Sequence, residues 1–491
     1  MLCVLALVAI GLGAHDAQLR AVLKSSQAAD PCAKAPCGDP LFLSDLIARN
    51  PQRARTLSRV VGLKGFEDSH SGLITAASSN NSLFVWYIPP PKLAPCIVWL
   101  QGGPGAPSTY GLFTEIGPVI VGAGGELFLR NQTWSSKYGL LIVDNPAGVG
   151  FSKLGDPRIP VRTEEQVGRE LVEVLQQFVN LIPEVRAPSA GLYIAGESYG
   201  GKYAPAAAAT AVSVNRAARR AGQAERLPLR GLIIGDGWCD PESHVPAYPS
   251  MLMGMGLLDT AQHEQMRHAL ARSSALLATG DLVGAFDGWD SVWGDYGGDY
   301  PGKSWSGKTL FENVTGGSNT ENVWYSHGDP NIPSYAAAAA WMQTPTVRRA
   351  IHIGNLTMGT AGVDQYHVMI VSGDFMNSSK ADIESVLQAG VPVLAYNGAW
   401  DGVVGAAVSE PLYAKLKWEG SAEFRATARQ PWKVLQSDSQ VAGLVSDITS
   451  ADGSRFVRAV VRSAGHIVPA DQPAAAFDLI DRFITRRGWG E

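Results

Sequence analysis

The chain has 491 residues, with 40 Lys or Arg against 45 Asp or Glu and a formal charge of −5. At 46% hydrophobic and 17% charged it can bury a large core, which argues against wholesale disorder, and its dispersed basic residues leave no electrostatic footprint for nucleic acid. Five cysteines are too few for a disulfide scaffold, while 54 glycines imply many tight backbone positions.

Residues 1–17 combine an apolar run with small residues at Gly11, Gly13, Ala14 and Ala17. That length suits a signal peptide rather than a membrane span, although the usual Lys or Arg at its start is missing. No later stretch offers about twenty uninterrupted apolar residues, so no membrane span is expected in the mature chain. Five Asn-x-Ser/Thr sequons, at Asn80, Asn131, Asn313, Asn355 and Asn377, are candidate glycosylation sites and fit the secretory pathway, ending in secretion or a lysosomal or vacuolar-type compartment. Residues 18–56 look like a loose leader.

From residue 57 the pattern becomes regular. Short apolar runs at 83–88, 96–100, 139–143, 192–195, 232–234, 391–396 and 456–461 read as strands, most ending in Gly, Asn or Pro. Helical spacing of Val167, Leu171, Val174, Leu175, Phe178 and Ile182 predicts a helix over 163–182, opened by a Thr163–Gln166 capping box. Another helix is predicted over 472–486. Alternation of this kind implies an α/β class with a mostly parallel sheet covered on both faces. Between about 238 and 387 strand signals fade into helical stretches at 262–277 and 336–349 and an aromatic stretch at 289–305. The division that follows is a core of 57–237 and 388–491 with a helical cap, 238–387, inserted between two strands.

The chemistry concentrates at Gly196-Glu197-Ser198-Tyr199-Gly200, a G-x-S-x-G match after one predicted strand and before a small-residue helix start. The pattern alone is weak, and a tight turn without catalysis is the bland alternative. The strand-turn-helix setting is the one a nucleophile elbow needs. A serine hydroxyl requires a base, and the base an orienting acid. Asp401 follows the strand at 391–396, and His466, the sole histidine after it, follows the strand at 456–461. Upstream, Gln101-Gly102-Gly103-Pro104-Gly105 ends a further strand and could bring amides to an oxyanion. A phosphate loop is disfavoured there, because no Lys-Ser/Thr follows and a proline interrupts.

WLQGGPG (99–105), LFTEIGP (112–118), DNPAGVGF (144–151), GESYGGKY (196–203), IGDGWCDPES (234–243), FENVTGGSN (311–319), AIHIGN (350–355) and GHIVPADQP (465–473) occur in this order. Together they resemble the serine carboxypeptidases of the α/β-hydrolase fold, most closely the vitellogenic-like group. The resemblance implies a peptidase that releases single C-terminal residues through an acyl-enzyme. It implies Ser198 as nucleophile, His466 as base and acid, Asp401 as its partner, and the Gly103 and Tyr199 amides as oxyanion hole. It also implies that Gln101, Gly102, Glu115 and Glu197 hold the free carboxylate of a peptide or protein substrate. Two acids facing a carboxylate cannot all ionise cheaply, so Glu115 and Glu197 are expected to share a proton and to favour activity in acid.

An esterase or acyltransferase would keep the triad without needing Glu197, and a non-catalytic scaffold would need neither. Family members often carry Cys where this chain has Ala106 and Gly317, so their disulfides are expected to be missing. Once Cys3 leaves with the leader, Cys32, Cys37, Cys96 and Cys239 allow three pairings. Cys96 suits a packed thiol, and Cys32 with Cys37 could close a small loop. No spacing suggests a metal site, no cofactor is implied, and monomer and homodimer both remain open.

Overall fold

The computed structural model describes residues 32, 37–294, 309–326, 328–359 and 364–490. Its twelve strands are β1 (His70–Thr75), β2 (Ser82–Ile88), β3 (Cys96–Leu100), β4 (Val119–Val121), β5 (Leu127–Leu129), β6 (Gly139–Val143), β7 (Leu192–Glu197), β8 (Leu229–Gly235), β9 (Val393–Gly398), β10 (Gln430–Trp432), β11 (Gly443–Thr449) and β12 (Arg455–Val461). Ten of them form one sheet in the order β1-β2-β6-β3-β7-β8-β9-β12-β11-β10, and β4 pairs with β5 alone. The six central strands, β6 to β12 in that order, run parallel, while both edges are antiparallel.

Central strands buried on both faces need apolar side chains at every position, which is why Cys96-Ile97-Val98-Trp99-Leu100 is continuous rather than alternating. Cys96, Val98 and Leu100 enter one core layer, with helices α1 (Glu164–Leu181) and α2 (Gly200–Arg220). Ile97 and Trp99 enter the opposite layer, which is covered later in the chain by α5 (Pro473–Thr485). Between β8 and β9 the described residues hold helices and no strand, including α3 (Thr260–Thr279) and α4 (Leu282–Trp293). This is the α/β-hydrolase arrangement, with the carboxyl ends of the parallel strands on one rim.

Several sequence expectations change in detail. Thr163 caps α1 by accepting from the Gln166 amide at 3.3 Å, but the Gln166 side chain turns to the Arg162 amide, so the capping box is half formed. The helix expected over 336–349 is two, Tyr335–Met342 and Pro345–Ala350, because Pro345 cannot continue the first and instead starts the second. The aromatic stretch 289–305 ends α4 at Trp293, and 295–308 lies outside the described residues.

Part of the stretch expected to be loose is packed. Phe42 bridges to Leu73, two short helices follow (Ser44–Arg49 and Pro51–Leu57), and Leu43, Ile47 and Ala54 are buried. The proposed signal peptide lies outside the described residues. Cys32 and Cys37 form a disulfide, while Cys96 and Cys239 are buried free thiols. Among the described residues no helix is long and apolar enough to cross a membrane.

Candidate active site

β7 ends at Glu197 and α2 begins at Gly200, so the chain reverses direction over two residues and forces Ser198 to a φ of 57°. A non-glycine residue pays for that conformation, and the surroundings must hold it there. The Ser198 amide donates to Gly235 O at 3.0 Å, and its carbonyl accepts from the Gly201 and Trp238 amides, each at 2.9 Å. A Cβ on Gly196 would sit 2.0 Å from Gly200 O, and one on Gly200 would sit 2.4 Å from Leu100 O. Only glycine fits at either flank. Ser198 is half-buried between the fully buried Glu197 and Tyr199, so the turn exposes this one side chain.

Asp401 and His466 arrive from loops after β9 and β12. These adjacent parallel strands hold the loops together through Ala399 N to Val461 O (2.9 Å) and Trp400 N to Ala464 O (2.8 Å). His466 Nδ1 and Asp401 Oδ2 are 2.9 Å apart, while Asp401 Oδ1 accepts from the Val403 and Val404 amides at 2.7 and 3.0 Å. Burial alone would lower the pKa of His466, but the Asp401 carboxylate, helped by Glu321 and Glu115, raises it above the ordinary value. With Nδ1 turned to Asp401, Nε2 is left as the nitrogen that exchanges a proton.

The glycine loop lies against the nucleophile turn. An ideal Cβ on Gly102 would fall 2.6 Å from Tyr199 N and 2.7 Å from Ser198 Cβ, so a bare backbone is required for this approach. Gln101 is fixed on three sides. Its amide donates to Ser108 Oγ (3.0 Å), its Oε1 accepts from Trp99 Nε1 (3.0 Å), and its Nε2 donates to Glu197 Oε2 (2.8 Å).

Glu115 sits on a wide helical turn, Leu112–Ile116, with backbone bonds spaced as in a π-helix, a form frequent at functional sites. Neither Glu115 oxygen nor Glu197 Oε1 receives an N–H, yet the two carboxyls interact with each other and with Gln101. Both observations agree if the pair holds a proton, since an acid O–H then supplies the missing donor. Burial is the main cause that pushes Glu115 up to about 7, and burial plus the Glu115 charge push Glu197 well above the carboxylate range.

The family profile described as serine carboxypeptidase matches residues 64–486. The chain belongs to that family. This carboxypeptidase is similar to a Mus musculus protein described as probable serine carboxypeptidase CPVL, at 34% identity over 99% of this chain and 96% of the relative. It is also similar to the venom serine carboxypeptidase of Apis mellifera, at 34% identity over 92% of each chain. The vitellogenic carboxypeptidase of Aedes aegypti is 30% identical over 93% of this chain and 92% of its own. Among solved structures, the Saccharomyces cerevisiae prohormone-processing carboxypeptidase Kex1 shares the fold, with a TM-score of 0.66 at 21% identity over 89% of this chain and 95% of that one.

The structure therefore brings Gln101, Gly102, Glu115, Glu197, Ser198, Tyr199, Asp401 and His466 to one rim of the carboxypeptidase's sheet. Sequence reasoning passed over three neighbours. Arg130 donates to Gly117 O (3.0 Å) and Phe113 O (2.7 Å), bracing the turn that carries Glu115. Asp471 accepts from the Gly465 amide at 2.6 Å and so anchors the loop before His466. Asp236, just past β8, brings a carboxylate oxygen within 4.8 Å of both an Asp401 oxygen and a His466 nitrogen. That trio is the one cluster of three metal-capable side chains among the described residues, and the hydrogen bond between two of its members occupies atoms a cation would need. Arg130 and Asp236 directly follow strands and Asp471 ends a short helix, Val468–Asp471, places where a lone Arg or Asp reads as an ordinary turn or cap residue. All five sequon asparagines, Asn80, Asn131, Asn313, Asn355 and Asn377, are exposed.

Proposed function

We propose that Ser198, His466 and Asp401 are the catalytic triad of an acid-active carboxypeptidase. His466 Nε2 takes the Ser198 hydroxyl proton as Oγ bonds the carbonyl carbon of the last peptide bond, and Asp401 stabilises the imidazolium. The oxyanion accepts from the Gly103 and Tyr199 amides. Collapse breaks the C–N bond, His466 protonates the leaving amino acid, and the remaining peptide stays esterified to Ser198. Water then repeats the sequence, with His466 as base, and releases the shortened peptide and free serine.

The observation that carries this reading is the buried Glu115–Glu197 pair with Gln101 beside the nucleophile, which an esterase would not need. A protonated member of the pair, Gln101 Nε2 and the backbone at Gly102 supply donors to the substrate's terminal carboxylate. Binding weakens as the shared proton leaves near neutrality, which is the physical reason for an acid optimum. The segment 238–387, whose described residues hold helices and no strand, forms the cap over the 57–237 and 388–491 core. A Cys32–Cys37 disulfide and five exposed sequons favour the secretory pathway, in a secreted or lysosomal-type setting.

The test is a random peptide library incubated with the enzyme at mildly acidic pH and read by mass spectrometry. Loss of single C-terminal residues is expected, with none from peptides ending in an amide and none with Ser198→Ala. Internal cleavage, or equal turnover of amidated peptides, would refute the carboxylate-binding role.

A further inference from the structure

Asp236 is held in an unusual place for an acid. It follows β8 with a φ of 45°, its amide donates to Tyr396 O at 2.8 Å, and its Oδ1 accepts from the Gly398 amide at 2.8 Å. The side chain is thus clamped between the ends of β8 and β9, the strand that leads to Asp401. Asp236 is fully buried, and Oδ2 has no N–H donor. Asp401, equally buried, receives three N–H groups, from Val403, Val404 and His466.

Two carboxylates this close in a buried site cannot both carry charge cheaply, and here Asp236, with one N–H donor against three on Asp401, is the one placed to hold the proton. We propose that Asp236 is a positioning residue of the triad, held as the neutral acid and donating its Oδ2–H to Asp401. That bond gives the orphaned oxygen its partner and extends the hydrogen-bonded row to Asp236, Asp401 and His466. Its consequence lies in mild acid: part of the Asp401 charge is drawn away from His466, so the imidazole stays unprotonated, as a base must be, to a lower pH.

The groups around Asp236 agree. Burial, then the charges of Asp401 and Glu197, push its carboxyl well above the ordinary range. The Tyr396 and Tyr413 hydroxyls that face it are neutral, both pushed up chiefly by burial. Arg458 is the cation whose charge it feels, but that guanidinium is committed to the Ala459 and Ala406 carbonyls, to Glu410 and to the face of Tyr413. Among the described residues, the other group beside it that can carry positive charge is His466, whose Nδ1 is already turned to Asp401.

The inference rests on the triad proposed above. Fluorophosphonate labelling of the wild-type enzyme tests that triad separately, because labelling needs only Ser198 and its base. The inference itself is tested by kcat and KM from pH 4 to pH 8 on a blocked dipeptide with a free carboxylate. Asp236→Ala, which removes the donor, is expected to lower kcat about 10- to 100-fold with little change in KM, and to move the acid limb upward as His466 becomes more basic. Asp236→Asn keeps an acceptor for Gly398 N and a donor for Asp401 without a titrating proton, and is expected to recover most of the loss and return the limb to its wild-type position.

A downward shift of the limb in Asp236→Asn would mean that Asp236 is normally ionised, and overturns the proposal. So would an unmoved limb in a folded Asp236→Ala enzyme. Infrared difference spectra of wild type against Asp236→Asn at pH 7 give an answer even if the alanine variant fails to fold. A protonated-carboxyl band lost in the variant supports the proposal, and a lost carboxylate band refutes it.

Discussion

Two pairs of buried acids flank the reacting groups, and they differ in how many N–H donors each receives. The Asp236–Asp401 pair collects four, three on Asp401 and one on Asp236, so the position of its proton is fixed and its charge is constant. The Glu115–Glu197 pair receives one, from Gln101 Nε2, and is left to settle its proton internally. The same like-charge crowding therefore gives a rigid element behind His466 and a titratable one where a substrate carboxylate arrives. Donor count, not burial, separates them, since all four side chains are inaccessible to solvent or nearly so.

If the first pair acts on chemistry and the second on binding, mutations should divide along the same line. Asp401→Asn carries the largest expected effect, a fall in kcat of about 10⁴ with KM within a few-fold, because the amide leaves His466 in the wrong tautomer. A comparable rise in KM would blur the division. Glu197→Gln comes next. An amide partner lets Glu115 ionise, so in mild acid KM should rise by about tenfold or more while kcat is largely kept. The dependence of KM on pH between about 6 and about 8 should also flatten, because the shared proton is gone. Steady-state kinetics at four or five pH values distinguishes these patterns, and an unchanged KM profile would remove the shared proton from the account.

Legibility in the sequence followed the physics of burial. The seven strands foreseen, β2, β3, β6, β7, β8, β9 and β12, are covered on both faces and read as apolar runs. β1, β10 and β11 lie at or next to the sheet edges. Ser71-Gly72, Gln430-Pro431 and Ser446-Asp447 interrupt them: β10 and β11 are partly exposed and tolerate polar residues, whereas β1 is buried but its polar His70-Ser71-Gly72 start breaks the apolar run. Ser198, Asp401 and His466 were legible because each follows one of the central strands. Asp236 also follows such a strand, yet nothing local distinguishes it, as its partner Asp401 lies far along the chain. Glu115 could be singled out only through the family resemblance, since its meaning depends on a turn that aims it at Glu197.

The comparison extends to stability. Glu115, Asp144 and Asp471 are each raised to about 7, chiefly by burial, and burial also raises Glu164, Glu197, Asp236 and Asp382 above the ordinary carboxylate range. In the unfolded chain these groups ionise near pH 4, so between there and about pH 7 the folded state holds protons that the unfolded state has lost. Stability then falls as pH rises, by about 1.4 kcal/mol per pH unit for each proton held. The buried His70 and His244, both lowered to about 4, and His352, also lowered, oppose this by favouring the unfolded state below pH 6.5. Seven carboxyls outnumber three imidazoles, so the melting temperature should be higher at pH 5 than at pH 7.5. A protein most stable at neutral pH would show that the carboxyls are ionised in the native state.

The smallest effect is expected from a third pair, which touches neither substrate nor triad. Asp471 accepts from the Gly465 amide and from Asn322 and Asn331, and Asn322 also reaches Asp329 at 2.7 Å. Burial, then the Asp329 carboxyl, raise Asp471, so this staple between the His466 loop and residues 322–331 holds best when protonated. Asp471→Asn keeps an acceptor for Gly465 N and offers Asp329 an amide donor that cannot ionise. At pH 5 the variant should match the wild type. At pH 7.5 it should be more stable by about 1 kcal/mol, because the wild type has by then lost the stabilising proton. Its kcat should stay within a few-fold at both values, since the His466–Asp401 bond is independent of the substitution. Scanning fluorimetry at the two pH values decides the matter: equal destabilisation at both would assign Asp471 a fixed hydrogen-bonding role and confine proton-sharing to the acids that flank Ser198.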